Sequence, residues 1–280
     1  MAATSGSYYL PNPSPWPVLM STGLFMLALG FILKMNSVAA GPWLMLAGAG
    51  TLIYIMFRWF AEVVGESESG KYNQQVDLTF RWSMSWFIFS EVMFFAAFFG
   101  ALFYVRQFAG PWIGANEVLW PGFDFAWPAS SGPKVAAFTP MGAWGIPAIN
   151  TIILLTSGAT VTWAHWGLIK DNRGQLIVGL FLTVALGIAF IALQAYEYVH
   201  AYQELGLTLK SGTYGATFFM LTGFHGFHVT IGTIMLIVIL LRSIAGHFKP
   251  NHHFAFEAVA WYWHFVDVVW LGLFVVVYWL

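Results

Sequence analysis

The sequence predicts an all-α integral membrane protein with seven transmembrane helices. Two observations predict this class. Hydrophobic residues make up 59% of the 280 residues and charged residues only 8%, against about 25% charged residues in ordinary soluble domains. Apolar runs that are near or above the roughly 20 residues a helix needs to cross a bilayer also recur along the chain. They cover residues 18–35, 42–64, 80–105, 141–168, 176–201, 214–241 and 254–280.

The composition also excludes several classes of function. A formal net charge of -1 makes nucleic acid an unexpected partner. The chain has no cysteine, so it forms neither disulfides nor thiolate metal sites. Residues 1–17 lack a basic stretch and contain several prolines, which is not typical of a cleavable signal peptide. We therefore expect the first apolar run to remain in the mature protein as a span.

The positions of the basic residues predict the orientation of the chain. An odd number of spans places the termini on opposite sides, and lysine and arginine favour the cytoplasmic side. With the N-terminus inside, the inner segments hold Arg58, Lys71, Arg81, Lys170, Arg173, Arg242 and Lys249, and the outer ones hold Lys34, Arg106, Lys134 and Lys210. The distribution favours an N-in, C-out arrangement.

The first two runs are joined by a short link around Asn36–Gly41 and should form an antiparallel hairpin. The second run leads into RWFAEVVGESESGKYNQQVD, the most polar passage of the chain. Trp59 and Phe60 are aromatic, and aromatic side chains anchor helices at the level of the lipid head groups. We expect this passage to run along the cytoplasmic head-group layer.

The third run contains a single acid, Glu91. It lies about 11 residues into the run, which places it roughly 16 Å deep, near the middle of the membrane. Phenylalanines surround it at helical spacing. Nothing continues a proton relay along this helix, so we expect a structural hydrogen bond between Glu91 and a neighbouring helix.

Residues 106–140 form the one long connection, rich in proline, glycine and tryptophan, and should lie on the outer face as a surface elaboration. At the end of the fifth run, Glu197 and His200 are three residues apart, a spacing typical of a local pair. The sixth run has small residues roughly on one face, which predicts a seam for helix packing. They are Gly215, Thr222, Gly226 and Thr233.

The last run is unusual because it is apolar enough to span yet contains three ionisable residues. Glu257, Trp261, His264 and Val268 fall along one helical stripe, with Asp267 about 80° to one side. An ionisable group in hydrocarbon costs roughly 2.5 kcal/mol or more. This helix is therefore expected to pack against polar groups.

Eight histidines raise the alternative of a b-type cytochrome. On the sixth run, however, the glycine face and the face with His225 and His228 differ by about 100°, and His165 lies at another depth. No Glu-x-x-His pair converges with these histidines to suggest a di-metal site. A transporter would show internal repeats and broken helices, and neither is evident. We predict neither a metal nor a haem in this chain.

Four blocks of sequence resemble subunit III of the aa3-type haem-copper cytochrome c oxidases, bacterial and mitochondrial. They are SEVMFF, GIPAINTIILLTSGATVTWAHWGL, TYGATFFMLTGFHGFHVTIGT and HHFAFEAVAWYWHFVDVVWL. The resemblance implies two helices with their cytoplasmic connection (1–71), set apart by a lipid-holding cleft from a five-helix bundle (72–280). It also implies that this chain binds no redox cofactor, that haem A and copper belong to partner subunits I and II, and that cytochrome c is the substrate of the complex.

The resemblance further implies the site residues. Glu91 corresponds to the buried glutamate that reacts with hydrophobic carbodiimides in the family, and no residue is catalytic. Trp59, Glu66, His228 and Arg242 are the expected contacts to phospholipid head groups.

The resemblance implies a bacterial inner (plasma) membrane protein that covers a flank of subunit I, retains lipid and sustains proton uptake. The remaining alternative is subunit III of a quinol oxidase. That subunit is typically shorter, so seven spans favour the cytochrome c type.

Overall fold

The computed structural model describes residues 9–128 and 137–280. Within them, seven helices are long and apolar enough to cross a membrane, and no β-strand is present. The helices are α1 Trp16–Met35, α2 Gly41–Glu68, α3 Gln74–Gly114, α4 Ile146–Ile169, α5 Arg173–Gln203, α6 Gly212–Ala245 and α7 Phe254–Trp279. The predicted all-α class with seven spans is confirmed. The N-in, C-out orientation stays a prediction.

Helix α3 is longer than the sequence predicts. It starts at Gln74 and continues through a π-helical turn, Val105–Ala109, into a last short segment, Gly110–Gly114. Residues 106–114, predicted as loop, are therefore helical. The wider turn ends two residues before Pro111, and such turns accommodate a residue that has no N–H to donate.

The rest of the predicted outer loop is described up to residue 128 and again from residue 137, and residues 129–136 lie outside the described ranges. Its described ends pack on the start of α6. Trp127 meets the ring of Tyr214 edge-on at a centroid distance of 5.5 Å, and Phe138 stacks on the same ring at 5.8 Å. The guanidinium of Arg106 lies 5.6 Å from the centre of the Trp127 ring.

The chain divides into two compact units, Met1–Phe80 and Arg81–Leu280. In the first, α1 and α2 form the predicted hairpin, and glycines bring the two backbones together. A Cβ atom added at Gly30 would lie 2.6 Å from the backbone nitrogen of Met45, and one at Gly48 would lie 2.7 Å from that of Leu27. Only glycine permits so close an approach. The predicted division at residues 71 and 72 stays a prediction.

The second unit is organised around α7, which packs against α4 and α6. In its most apolar stretch 56% of the residues are buried, against 11% in α3. Two fully buried tryptophans fix the contact with α4. The indole N–H of Trp263 donates to Ser157 and that of Trp270 donates to Thr151, each at 2.9 Å. Indole rings bury a large apolar area while their one polar atom is satisfied by the neighbouring helix.

The predicted small-residue seam of α6 is only partly a packing surface. Thr222 and Thr233 are buried, but a Cβ atom added at Gly226 would meet nothing within 4 Å. The prediction was wrong for Gly226. Helices α4 and α5 approach each other closely, and a Cβ atom added at Gly179 would lie 3.0 Å from the Cα atom of Ala164.

Candidate functional site

The acids and imidazoles inside the spans form pairs that join different helices. The first pair joins α3 and α6, where Nε2 of His228 lies 2.8 Å from a carboxylate oxygen of Glu91. The two residues are 137 positions apart in the chain. The structure thus places the expected hydrogen bond of Glu91 on a neighbouring helix.

The second nitrogen of His228 defines the chemistry of this pair. Nδ1 lies 2.6 Å from the carbonyl oxygen of Phe224, and a carbonyl accepts but never donates. Nδ1 therefore holds a hydrogen and donates it. A neutral ring would then present a lone pair at Nε2, so a proton must lie between Nε2 and Glu91. The pair shares one proton, either as carboxylic acid and imidazole or as carboxylate and imidazolium.

Aromatic rings surround the imidazole of His228. Among the described residues, five have ring centroids 5.0 to 6.4 Å from it: Phe94, Phe95, Phe227, Tyr262 and Phe265. In such a setting an unpaired polar group is costly, because neither water nor another donor replaces the lost partner. The structure therefore supports a structural role for the pair.

At the start of α7, Glu257 is bonded on both sides. Arg81 of α3 forms an ion pair with one of its oxygens, and Nε2 of His253 lies 3.0 Å from the other. His165, at the end of α4, completes a group of three: one ligand atom of each of His165, His253 and Glu257 lies within 4.8 Å of the others. The expectation that α7 packs against polar groups is confirmed at Glu257.

Further along α7, Asp267 is buried against α4. It faces Gly158, where the absence of a side chain leaves room for the carboxylate. Nδ1 of His264 lies 3.5 Å from the same carboxylate, and Nε2 of His264 lies 3.2 Å from the hydroxyl of Thr162. Asp267 thus also faces protein, which confirms the expectation for this residue.

The expected local pair of Glu197 and His200 is wrong. Glu197 is fully buried and accepts a hydrogen bond of 2.6 Å from the hydroxyl of Tyr278 on α7. His200 instead lies 3.0 Å from Glu204, one turn further along α5. Tyr278 bonds Glu197 inside the bundle, and Glu204, four positions beyond His200, is also at a spacing that brings two side chains of one helix together.

His225 is enclosed by aromatic rings. Its ring stacks on Trp270 at a centroid distance of 5.2 Å and meets Phe190 edge-on at 5.8 Å. The imidazole of His225 is thus part of the aromatic core of the bundle.

Comparison with known proteins decides the family. The family model described as "Cytochrome c oxidase subunit III" matches residues 6–280. A cytochrome c oxidase subunit 3 of Marchantia polymorpha is 45% identical over 273 residues, covering 97% of this chain and 96% of the relative. One from Latimeria chalumnae is 42% identical over 282 residues, covering 100% and 99%. The chain belongs to the cytochrome c oxidase subunit III family.

The chain is therefore a subunit III of cytochrome c oxidase, a multi-pass membrane protein that takes part in an oxidase complex with other subunits. The resemblance seen in the sequence is confirmed. Membership of this family decides against the transporter and the b-type cytochrome.

Two of the expected lipid contacts in this subunit III line one cavity in the first unit. Trp59 and Glu66 contribute to a cavity of about 370 Å³, which also borders on Lys71 and on residues before α1. Both oxygens of Glu66 accept hydrogen bonds from tyrosines, Tyr9 and Tyr72. Burial and the hydrogen bond to Glu66 raise the pKa of Tyr72, so this hydroxyl stays a donor at physiological pH.

The other two expected lipid contacts lie in the second unit. Both ring nitrogens of His228 bond within the chain, so a head group would have to displace one of those bonds. Arg242 lies near the end of α6, with its guanidinium carbon 4.6 Å from the centre of the Phe248 ring and its Nε atom 3.5 Å from His247. The four lipid contacts stay predictions.

Sequence reasoning missed the groups at His165 and at Tyr278. His253 and Glu257 are four positions apart at the start of a helix, a spacing that indicates contact. The third residue of the group, His165, lies on another helix, and the sequence does not indicate that it joins them. Tyr278 gave no signal, because a tyrosine near the end of an apolar run is also typical of an interfacial anchor.

Proposed function

We propose that this subunit III covers one flank of subunit I, retains phospholipid and sustains proton uptake by the oxidase, which protects it from inactivation during turnover. The main support is the distribution of buried surface. In each of α1, α2 and α3 only 11% of the most apolar stretch is buried within the chain. Their remaining apolar surface needs lipid or another membrane protein as its neighbour.

The pairing of polar groups within the spans supports a structural contribution in place of an electron-transfer one. Glu91, Glu197 and Glu257 each bond to a different helix of the same bundle. Each of these three acids is therefore engaged in a contact between helices. Haem A and copper belong, in this proposal, to subunits I and II, and cytochrome c is the electron donor.

The lipid part of the proposal is supported by the cavity beside Trp59 and Glu66. A cation, Lys71, and two acids, Glu62 and Glu66, border it. This arrangement matches a zwitterionic head group, with the phosphate near Lys71 and an ammonium near the acids. Arg242 is a second candidate for a phosphate contact. The lipid-holding cleft and the bacterial plasma membrane also belong to the proposal.

Removal of this subunit should shorten the working life of the oxidase without lowering its first turnovers. In this proposal catalysis belongs to other subunits, so removal should leave the activation free energy almost unchanged. The initial rate of oxygen consumption is expected to stay within about a factor of two. Activity should then decay during turnover. The measurement is oxygen consumption over many turnovers, for the complete complex, the depleted complex and the depleted complex after reconstitution.

Two outcomes would contradict this prediction. A depleted complex that keeps constant activity over the same number of turnovers would show that the subunit does not protect the enzyme. An immediate loss of the initial rate, restored by adding the subunit back, would show that it takes part in the reaction itself.

The substitution Glu91→Gln should leave most of the oxidase activity and proton translocation intact. Glutamine has the same shape and keeps a hydrogen-bonding group opposite Nε2 of His228. The measurement is oxygen consumption together with proton release by the variant in vesicles. A variant that assembles normally but translocates no protons would overturn the structural role of Glu91.

A further inference from the structure

We infer that His165, His253 and Glu257 form a binding site for a divalent transition metal, with Zn²⁺ as the best chemical match. One ligand atom from each residue lies within 4.8 Å of the other two. Two imidazoles and one carboxylate form a known set of zinc ligands, with a fourth position left open. The site lies where α4 ends and α7 begins, within the second unit.

The ring of His253 is oriented as a metal ligand. Its Nδ1 atom lies 3.1 Å from the backbone carbonyl of Lys249, which accepts and never donates, so Nδ1 holds a hydrogen. Nε2 then points a lone pair at the carboxylate of Glu257, 3.0 Å away. Two acceptors so close require a positive species between them. A backbone carbonyl that fixes the ring in this way is the usual outer partner of a metal-bound histidine.

His165 supplies an observation that a simple ion pair does not explain. Its Nε2 atom is buried and has no hydrogen-bond partner among residues 9–128 and 137–280. A proton between His253 and Glu257 would leave this atom without a partner. A metal ion bound by all three residues would give His165 a role as the third ligand.

The distances require little rearrangement. With bonds of about 2.0–2.1 Å in a tetrahedral site, ligand atoms lie roughly 3.3 Å apart. The contact between His253 and Glu257 is already near this value. The ring centroids of His165 and His253 are 5.4 Å apart at an interplanar angle of 68°. A change in side-chain torsion at His165 would bring its ligand atom to the same distance.

Arg81 determines how tightly the ion is held. Its guanidinium pairs with the second oxygen of Glu257 and lies 5.4 Å from the centre of the Phe254 ring. This contact fixes the carboxylate, but its positive charge opposes a divalent cation nearby. The site should therefore exchange its metal with the solution. When filled, it would tie α4 to α7 beside an arginine of α3.

The test counts zinc bound to the purified oxidase complex. The wild-type complex and the variant His253→Gln are dialysed to equilibrium against the same Zn²⁺ buffer, and the zinc in excess of that buffer is measured by mass spectrometry relative to haem iron. The control is His200→Gln. His200 and Glu204 form a histidine–glutamate pair of the same spacing and distance, 3.0 Å, and among the described residues no third ligand accompanies them.

We expect His253→Gln to bind one zinc ion fewer per complex than the wild type, and His200→Gln to match the wild type. Loss of a direct ligand should weaken zinc binding by more than the roughly 10–100-fold typical of an outer partner. His165→Asn should give the same loss, and it is the variant to use if His253→Gln does not assemble. Equal zinc content in all variants, or an equal loss in His200→Gln, would overturn the site.

Discussion

Replacing His228 by leucine is expected to deplete this subunit from the purified oxidase. The substitution leaves Glu91 opposite an apolar side chain, among the phenylalanines that surround the imidazole. Removing one partner of a buried pair typically costs about 3–5 kcal/mol, because the remaining group stays without a partner. Glu91 retains 24% of its side-chain exposure within the chain, so we expect the lower end of this range. The measurement is the ratio of this subunit to the redox subunits after purification.

Two further variants separate the loss of the pair from a general effect on the core. The double variant Glu91→Leu with His228→Leu removes both partners and should restore most of the assembled subunit, since apolar replacement of a whole pair is often neutral. His225→Leu is the matched control on the same helix. Its ring nitrogens have no hydrogen-bond partner among the described residues, so a similar-sized apolar residue should cost less than about 1.5 kcal/mol. If His225→Leu depletes the subunit as strongly as His228→Leu, the pair has no special role.

The substitution Gly179→Leu should prevent the five-helix unit from packing. A Cβ atom at this position would lie 2.8 Å from the Cβ atom of Ala164 and 3.0 Å from its Cα atom, so the backbones of α4 and α5 would have to separate. Both residues are buried. Overpacking a tight core costs typically 1–3 kcal/mol for smaller insertions, and a whole leucine side chain exceeds that.

The expected result is a complex that lacks this subunit, or one with a clearly lowered melting temperature. Gly50→Leu is the control, because a Cβ atom added at Gly50 of α2 meets nothing within 4 Å. Thermal melting of the detergent-solubilised complexes compares the two variants. Equal melting temperatures for Gly179→Leu and the wild type would show that the approach of α4 to α5 is not tight.

The sequence predicts the number and type of helices because the thickness of the bilayer requires long apolar runs, and those are read directly from hydropathy. It is less informative about helix ends. The last turns of α3 contain Gly110, Pro111 and Gly114, residues typical of loops, and the π-helical turn before them leaves no sequence signal.

The partners of the ionisable residues depend on tertiary packing, and the sequence predicts them only in kind. The cost of burying an acid predicts that Glu91 and Glu257 are bonded, but their partners on α6 and α3 are 137 and 176 positions away. For Glu197 the local rule favoured His200, whereas the true partner is Tyr278. Which of several nearby groups an acid contacts is decided by the rotation of its helix in the bundle, which periodicity alone does not determine.

We propose that the histidines and acids in the spans of this subunit join helices and hold no electron carrier. The most direct test is the visible absorption spectrum of the full chain, purified away from the other subunits in mild detergent. We expect a colourless protein that absorbs only through its tryptophans and tyrosines. A haem band that copurifies with the chain in constant proportion, and that disappears when His225 or His228 is replaced, would contradict it.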